Sequence, residues 1–335
     1  MSLYKAETRR LVMRRFTRLF VACGLLVLAA VAAGVFLTNQ KASPATVAQA
    51  KAEAQAAYQQ VVEETNRSIQ ECQAAQGTAK ASDYPPKCDI TPPQTAEFDP
   101  QWYMPASFDF RSKFPSMVST FAAVLALVAF IIGASFVGAE WSSGGMMNLL
   151  LWRPRRAQVL GTKLAVLLAG TTVLTVVLSA IWTAGFYGIA MARGSTAKMT
   201  SGAWQSIALM EARALALVLL AGALGFGLAS IGRHTAMALG VAIGVIVVLQ
   251  FGVGAVLGLA NVKFPELYLA PFWIIAWMNK QYVAENYQTC DFSPNGGCQP
   301  DTLTITWQMA GGAMVLLFVL VVGGAMWTMR KRDIT

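Results

Sequence analysis

Six long apolar runs dictate what kind of molecule this chain can be: Phe20–Leu37, Pro115–Val137, Leu164–Gly185, Ile207–Ala229, Ala236–Leu259 and Met309–Trp327. Each is long enough to cross about 30 Å of hydrocarbon at about 1.5 Å of helical rise per residue. A helix resting on a water-soluble core would interleave a polar face, and these runs have almost none. Only 13% of the residues are charged, about half the share of a soluble domain.

The formal net charge is +9, and its placement matters more than its size. Lys5, Arg9, Arg10, Arg14, Arg15 and Arg18 precede the first run. Arg153, Arg155, Arg156 and Lys163 lie between the second and third, Arg233 between the fourth and fifth, and Arg330, Lys331 and Arg332 after the sixth. This side gathers 14 basic residues against three acids, Glu7, Glu140 and Asp333, whereas the other side holds 11 against 13. Lys and Arg concentrate on the cytoplasmic side of membrane proteins, so both termini are expected in the cytoplasm of a multi-pass protein. The polybasic start suits anionic lipid, and no nucleic-acid partner is expected. The first run has the basic start and apolar core of a secretory signal. It is long, however, and lacks a clean small-x-small cleavage site, so it is expected to be retained.

The cysteines fit this orientation. Cys72 and Cys88 fall in the first outer segment, Cys290 and Cys298 in the last, and Cys23 stands alone in the first run. An oxidising outer side, as at a bacterial plasma membrane, favours two local disulfides, Cys72–Cys88 and Cys290–Cys298. Other pairings and free thiols remain open.

Along the chain, residues 1–38 comprise an interfacial amphipathic helix and the first span. Within it, Leu3, Val12, Phe16 and Leu19 can share an apolar side. Residues 39–114 form an outer cap: a breaker-free helix over Pro44–Gln76, a stop at Gly77 and a proline-rich return. The second span occupies 115–137, a cytoplasmic segment 138–163, and spans three to five 164–260. Residues 261–308 make an outer loop in which the apolar, Trp-rich Leu267–Met278 is too short to cross and reads as an interfacial or re-entrant helix. The sixth span and a basic tail fill 309–335. Glycines recur at Gly222, Gly225 and Gly227, at Gly240 and Gly244, and at Gly254 and Gly258, where they allow helices to approach closely.

Polar groups inside the runs are the second lead. Glu211 and Arg213 stand two apart near the outer start of the fourth run, so they point in different directions and need separate partners on other spans, a polar vestibule, or the interface. Gln250 is the strong polar group deep in the fifth run. It serves as glue between helices, as a bond across a dimer, or as part of a path.

The segment 138–163 mixes one acid, glycines, an apolar patch and a basic turn broken by Pro154. Met146–Trp152 can form two helical turns along the membrane surface. Glu140 can accept from amides at a helix start, or pair with Arg153 or Arg156. Gly138, Glu140, Gly144, Leu149, Leu150, Pro154, Arg155, Leu160, Gly161 and Lys163, in this place between spans two and three, resemble the characteristic stretch of ABC-2 type transporter permeases. The resemblance implies a membrane subunit that moves a hydrophobic or amphipathic substrate (lipid, antibiotic or peptide) outward. It implies a second permease, the same or related, and two cytosolic ATPase subunits that hold ATP and Mg. It also implies a coupling helix that docks on the ATPase through Glu140, Trp141, Gly144, Met147, Leu150, Arg153, Pro154, Arg155 and Arg156. The large outer cap departs from compact members of that family.

This chain has no phosphate loop of its own, since Gly161-Thr162-Lys163 lacks the earlier glycine and the following Ser or Thr. No cofactor or metal is expected, and the single histidine, His234, rules out a Ser–His–Asp set on the outer side. The expected fold is an all-α polytopic membrane protein with six transmembrane helices, an amphipathic N-terminal helix, a cytoplasmic coupling helix and a helical, disulfide-tied extracytoplasmic insertion. The competing reading is a non-transporting sensor or assembly module whose outer cap binds a partner. A secondary transporter and a membrane enzyme rank lower, for want of inverted halves and of a catalytic constellation.

Overall fold

The computed structural model describes residues 3–77, 84–85, 87–152, 155–292 and 298–331. The side chains of 150–152, 288–292 and 298 lie outside the described set. Six helices are long and apolar enough to cross a membrane. They are α2 (Arg15–Thr38), α4 (Phe110–Ser142), α6 (Arg156–Arg193), α7 (Ser201–Gly232), the composite α8–α9 (Thr235–Leu259) and α11 (Trp307–Lys331). Several run beyond the apolar stretches that announce them, because flanking polar residues continue the helix. The chain divides into two compact units, one of Met1–Ala32, Arg111–Phe186 and Met199–Thr335, the other of Ala33–Phe110 and Tyr187–Lys198.

The larger unit has its main core among its spans. Phe136, Val137, Leu160, Leu167, Phe226 and Ala229 are buried together in it. Its tightest crossing lies between α4 and α7. A Cβ on Gly133 would collide with the carbonyl oxygen of Gly222, and one on Gly225 with that of Phe130. Only glycine permits backbones to meet this way. The packing role of Gly222 and Gly225 is thus within the chain, whereas Gly240, Gly244 and Gly258 face open space.

The N-terminal amphipathic segment forms a helix of its own, α1 (Leu3–Met13), separated from α2 at Arg14. Its buried stripe is Glu7 and Leu11, one helical turn apart. Val12 at the end of α1, and Phe16 and Leu19 at the start of α2, are exposed. The short helix α5 (Gly145–Trp152) follows α4 after a turn at Gly144, whose φ of +73° suits glycine.

The fifth span is not uniform. Between α8 (Thr235–Val245) and α9 (Gly254–Leu259), residues Ile246–Val253 wind as a π-helix that contains Gln250. Beyond it, α10 (Ala270–Asn279) ends at Lys280, with φ +73°, and the chain turns into an antiparallel hairpin. Its strands, β3 (Gln281–Phe292) and β4 (Cys298–Thr306), pair Tyr282 with Ile305 and Ala284 with Leu303. Ala276, Ile305 and Ala310 form a small second core with Phe272, Trp273, Trp277 and Tyr282 packed around it. The helical reading of the membrane fold holds. The hairpin is an addition in a region read from sequence as loop and helix. Cys290 and Cys298 have side chains outside the described set, so their proposed bridge has no structural account.

In the smaller unit, α3 (Pro44–Ala75) opens with a capping box between Ser43 and Thr46, which satisfies two free donors reciprocally. Ala50 and Ala54 are buried, and the Tyr58 and Phe98 rings meet edge to face at 5.7 Å. Cys72 and Cys88 form a disulfide that ties the end of the helix to the returning chain. Phe108–Asp109 pairs in parallel with Gly194–Ser195 as a minimal two-stranded sheet.

Candidate functional site

The segment between α4 and α6 is held by charges that converge from three helices. Glu7 lies on α1, Glu140 near the end of α4 and Lys163 in the first turns of α6. Lys163 Nζ sits 2.6 Å from Glu7 Oε2 and 2.7 Å from Glu140 Oε2. The Lys163 and Glu7 side chains are 0% and 1% exposed, and that of Glu140 is 15% exposed. The contact with Glu7 is a hydrogen bond. The one with Glu140 is ionic, without hydrogen-bond geometry at that oxygen. The Phe136 ring lies 5.1 Å from the ammonium and seals one side of it.

More positive charge surrounds this centre. Arg10, largely exposed, reaches Glu7 Oε1 at 3.3 Å. Arg14, at the break between α1 and α2, donates from Nη1 to the Ser135 carbonyl at 2.8 Å. Burial lowers the Arg14 pKa from its ordinary value, and the carboxylates of Glu140 and Glu7 act against that shift. Taking a charge out of water is costly unless it is paired. The buried ammonium of Lys163 therefore needs at least one of the two carboxylates, whereas Glu7 also has Arg10 and Glu140 is partly open to solvent.

Glu140 thus pairs with Lys163, and Arg153, the other partner its position suggests, lies outside the described residues. Trp141 is half-buried, with the Arg233 guanidinium 5.0 Å from its ring. Arg233 itself caps α7 in a left-handed conformation, and His234 caps α8 by accepting from the Ala236 amide at 3.1 Å. The lone histidine therefore ends one helix connection and starts the next. In α5, Met146 is buried in the core and Met147 is 37% exposed, so the helix is anchored on one side and open on the other. Gly144 is exposed at the turn. The Leu150 side chain, Arg153 and Pro154 lie outside the described residues. Arg155 and Arg156 line an open hollow of about 420 Å³ together with Arg330.

The intramembrane polar residues separate. Glu211 accepts a short hydrogen bond from the Thr183 hydroxyl of α6. Arg213 donates to the Met278 carbonyl at 2.8 Å, and its own carbonyl accepts from Trp277 Nε1 at 2.9 Å. Both residues therefore bond to other elements, as their spacing requires. Gln250 is half-buried in the π-helical stretch.

In the sequence Glu7 stands out only as one of three acids on the basic side, although it is the one acid of a basic helix and shares a face with Leu11. Lys163 counts there as a basic charge and as the end of the motif, and nothing in the sequence joins it to Glu7.

A model of the ABC-2 family transporter proteins matches residues 1–334. The chain belongs to the ABC-2 transporter family. No curated protein matches it. This ABC-2 protein is accordingly a multi-pass permease subunit without catalytic activity or a cofactor of its own, and it works with cytosolic ATPase partners in a lipid environment. Among the described residues, no group of His, Cys, Asp and Glu is arranged to hold a metal.

Proposed function

We propose that this permease exports a hydrophobic or amphipathic substrate across a bacterial plasma membrane, with both termini in the cytoplasm. Two ATPase subunits and a second permease, either another copy or a related chain, complete the transporter. ATP and Mg bind to the ATPases, whose groove receives α5. The observation that carries this reading is the buried Lys163 centre. A push on α5 displaces the end of α4, and Glu140 and Glu7 hand that displacement to α6 and α1 through one ammonium. The basic hollow at Arg155, Arg156 and Arg330 favours an acidic surface on the docked ATPase.

The test is the permease with its ATPase partner in proteoliposomes. Substitutions Met147→Asp and Arg155→Glu, on the open side of α5 and beside it, should lower substrate-stimulated ATP hydrolysis at least tenfold while membrane insertion is unchanged. Undiminished stimulation would remove the docking role. Absence of ATP-dependent movement of any lipid or peptide by the unsubstituted complex would favour the sensor reading instead.

A further inference from the structure

A cleft of about 650 Å³ opens between α4, α7, α10 and α11, at the end of the spans opposite the Lys163 centre. Its walls are apolar: Ala126, Leu217, Leu224, Ile274, Ala313 and Leu317 contribute, and Asn279 stands at the α10 end. On α7 the lining residues Leu217, Leu220, Ala221 and Leu224 form one stripe. Four residues earlier on the same stripe stands Arg213, half-buried, whose guanidinium reaches the carbonyl of the cleft residue Met278. Residues four apart on a helix share a face, so the cation heads the cleft. From Arg213 to Leu224 the axial distance is about 16 Å at the helical rise. That is about one leaflet of a 30 Å hydrocarbon core.

The chemistry at the two ends differs. The body offers mainly dispersion contacts to aliphatic and aromatic carbon, with Ser119 and Tyr268 its few polar groups besides Asn279. The mouth offers the guanidinium of Arg213, a planar donor suited to phosphate oxygens. One of its nitrogens caps the last turn of α10. No carboxylate lies within ion-pair distance of it among the described residues. A cation in the membrane without an anion calls for one.

We propose that this cleft binds one anionic phospholipid from the leaflet opposite the coupling segment, with an acyl chain along the α7 stripe and the phosphate on Arg213. In the orientation proposed above this is the outer leaflet. The site itself stands whether or not the bound lipid is cargo.

The full-length permease, purified in mild detergent with equimolar phosphatidylglycerol, phosphatidylcholine and diacylglycerol, is read by native mass spectrometry. One phosphatidylglycerol should remain per chain, favoured about tenfold over diacylglycerol, the contrast expected of one charge-assisted hydrogen bond to phosphate, and by a smaller factor over phosphatidylcholine, whose choline cation offsets the same phosphate. Arg213→Met should level that preference and Arg213→Lys should keep it. Ala126→Phe with Ala313→Phe should abolish retention. Equal retention of all three lipids by the unsubstituted protein overturns the site without recourse to any variant, as does lipid retained by a monodisperse cleft-filled protein. Because the readout needs neither ATPase nor transport, failure of the export reading leaves this result unchanged, and failure here leaves export standing.

Discussion

Lys163 and Glu7, separated by 156 positions in the chain, meet at 2.6 Å in a site closed to solvent. The N-terminal helix is therefore fixed to the coupling region by charge as well as by the apolar contact of Leu11. Deleting one partner of a buried pair strands the other, at about 3–5 kcal/mol.

Lys163→Met should accordingly destabilise the protein by about 3 kcal/mol or more, seen as a lowered unfolding midpoint in detergent. Glu7→Gln should do less harm, because Glu140 remains to neutralise the ammonium. The double substitution Glu7→Gln, Lys163→Met should cost less than the sum of the two. Strict additivity would show that the two residues do not interact.

Substitution of Gly225 by valine should separate α4 from α7, since even a Cβ meets the Phe130 carbonyl there. Overpacking of this kind costs about 1–3 kcal/mol, occasionally more. Gly244→Val, at a glycine with open space around it, should leave the thermal midpoint of the isolated chain unchanged. The comparison is a melting curve of each variant in the same detergent.

Much of this architecture is legible in the sequence for a physical reason. A span must satisfy its own backbone in hydrocarbon, so apolar length alone declares it. The capped helix α3 and the Cys72–Cys88 bridge are local, and local chemistry reads directly. The hairpin is harder. Thr302-Leu303-Thr304-Ile305-Thr306 does alternate with period two, but its partner Tyr282–Ala284 lies beyond a gap and between polar residues, and pairing across a gap leaves little trace. The ion cluster is least legible, because Glu7, Glu140 and Lys163 come together only after three helices have packed. No spacing rule links them. The π-helical turn at Gln250 has no compositional signature either.

Removing the disulfide, by Cys72→Ser with Cys88→Ser, should act within the smaller unit. A bridge closing a loop of this size contributes about 3 kcal/mol by restricting the unfolded chain. Limited proteolysis should begin to cut at the end of α3, while the spans stay protected. Unchanged cleavage would make the bridge ornamental to the stability of that unit.

Gln250 gives a prediction about assembly. No residue in the most apolar window of the fifth span is fully buried within the chain, and a side-chain amide in such a span seeks a hydrogen-bonding partner. Gln250→Cys should form an intermolecular disulfide under mild oxidation in membranes, and Gln250→Leu should weaken self-association by about 1 kcal/mol. Monomeric behaviour of the unsubstituted protein in membranes would contradict this.

The contact of α4 and α7 at Gly133, Gly222 and Gly225 places main chain on main chain, without an intervening cushion of rotatable groups. Under the coupling proposed above, such a contact leaves the two helices little room to slide past one another, and a displacement at the end of α4 would be carried along α7 toward Arg213, which holds the last turn of α10.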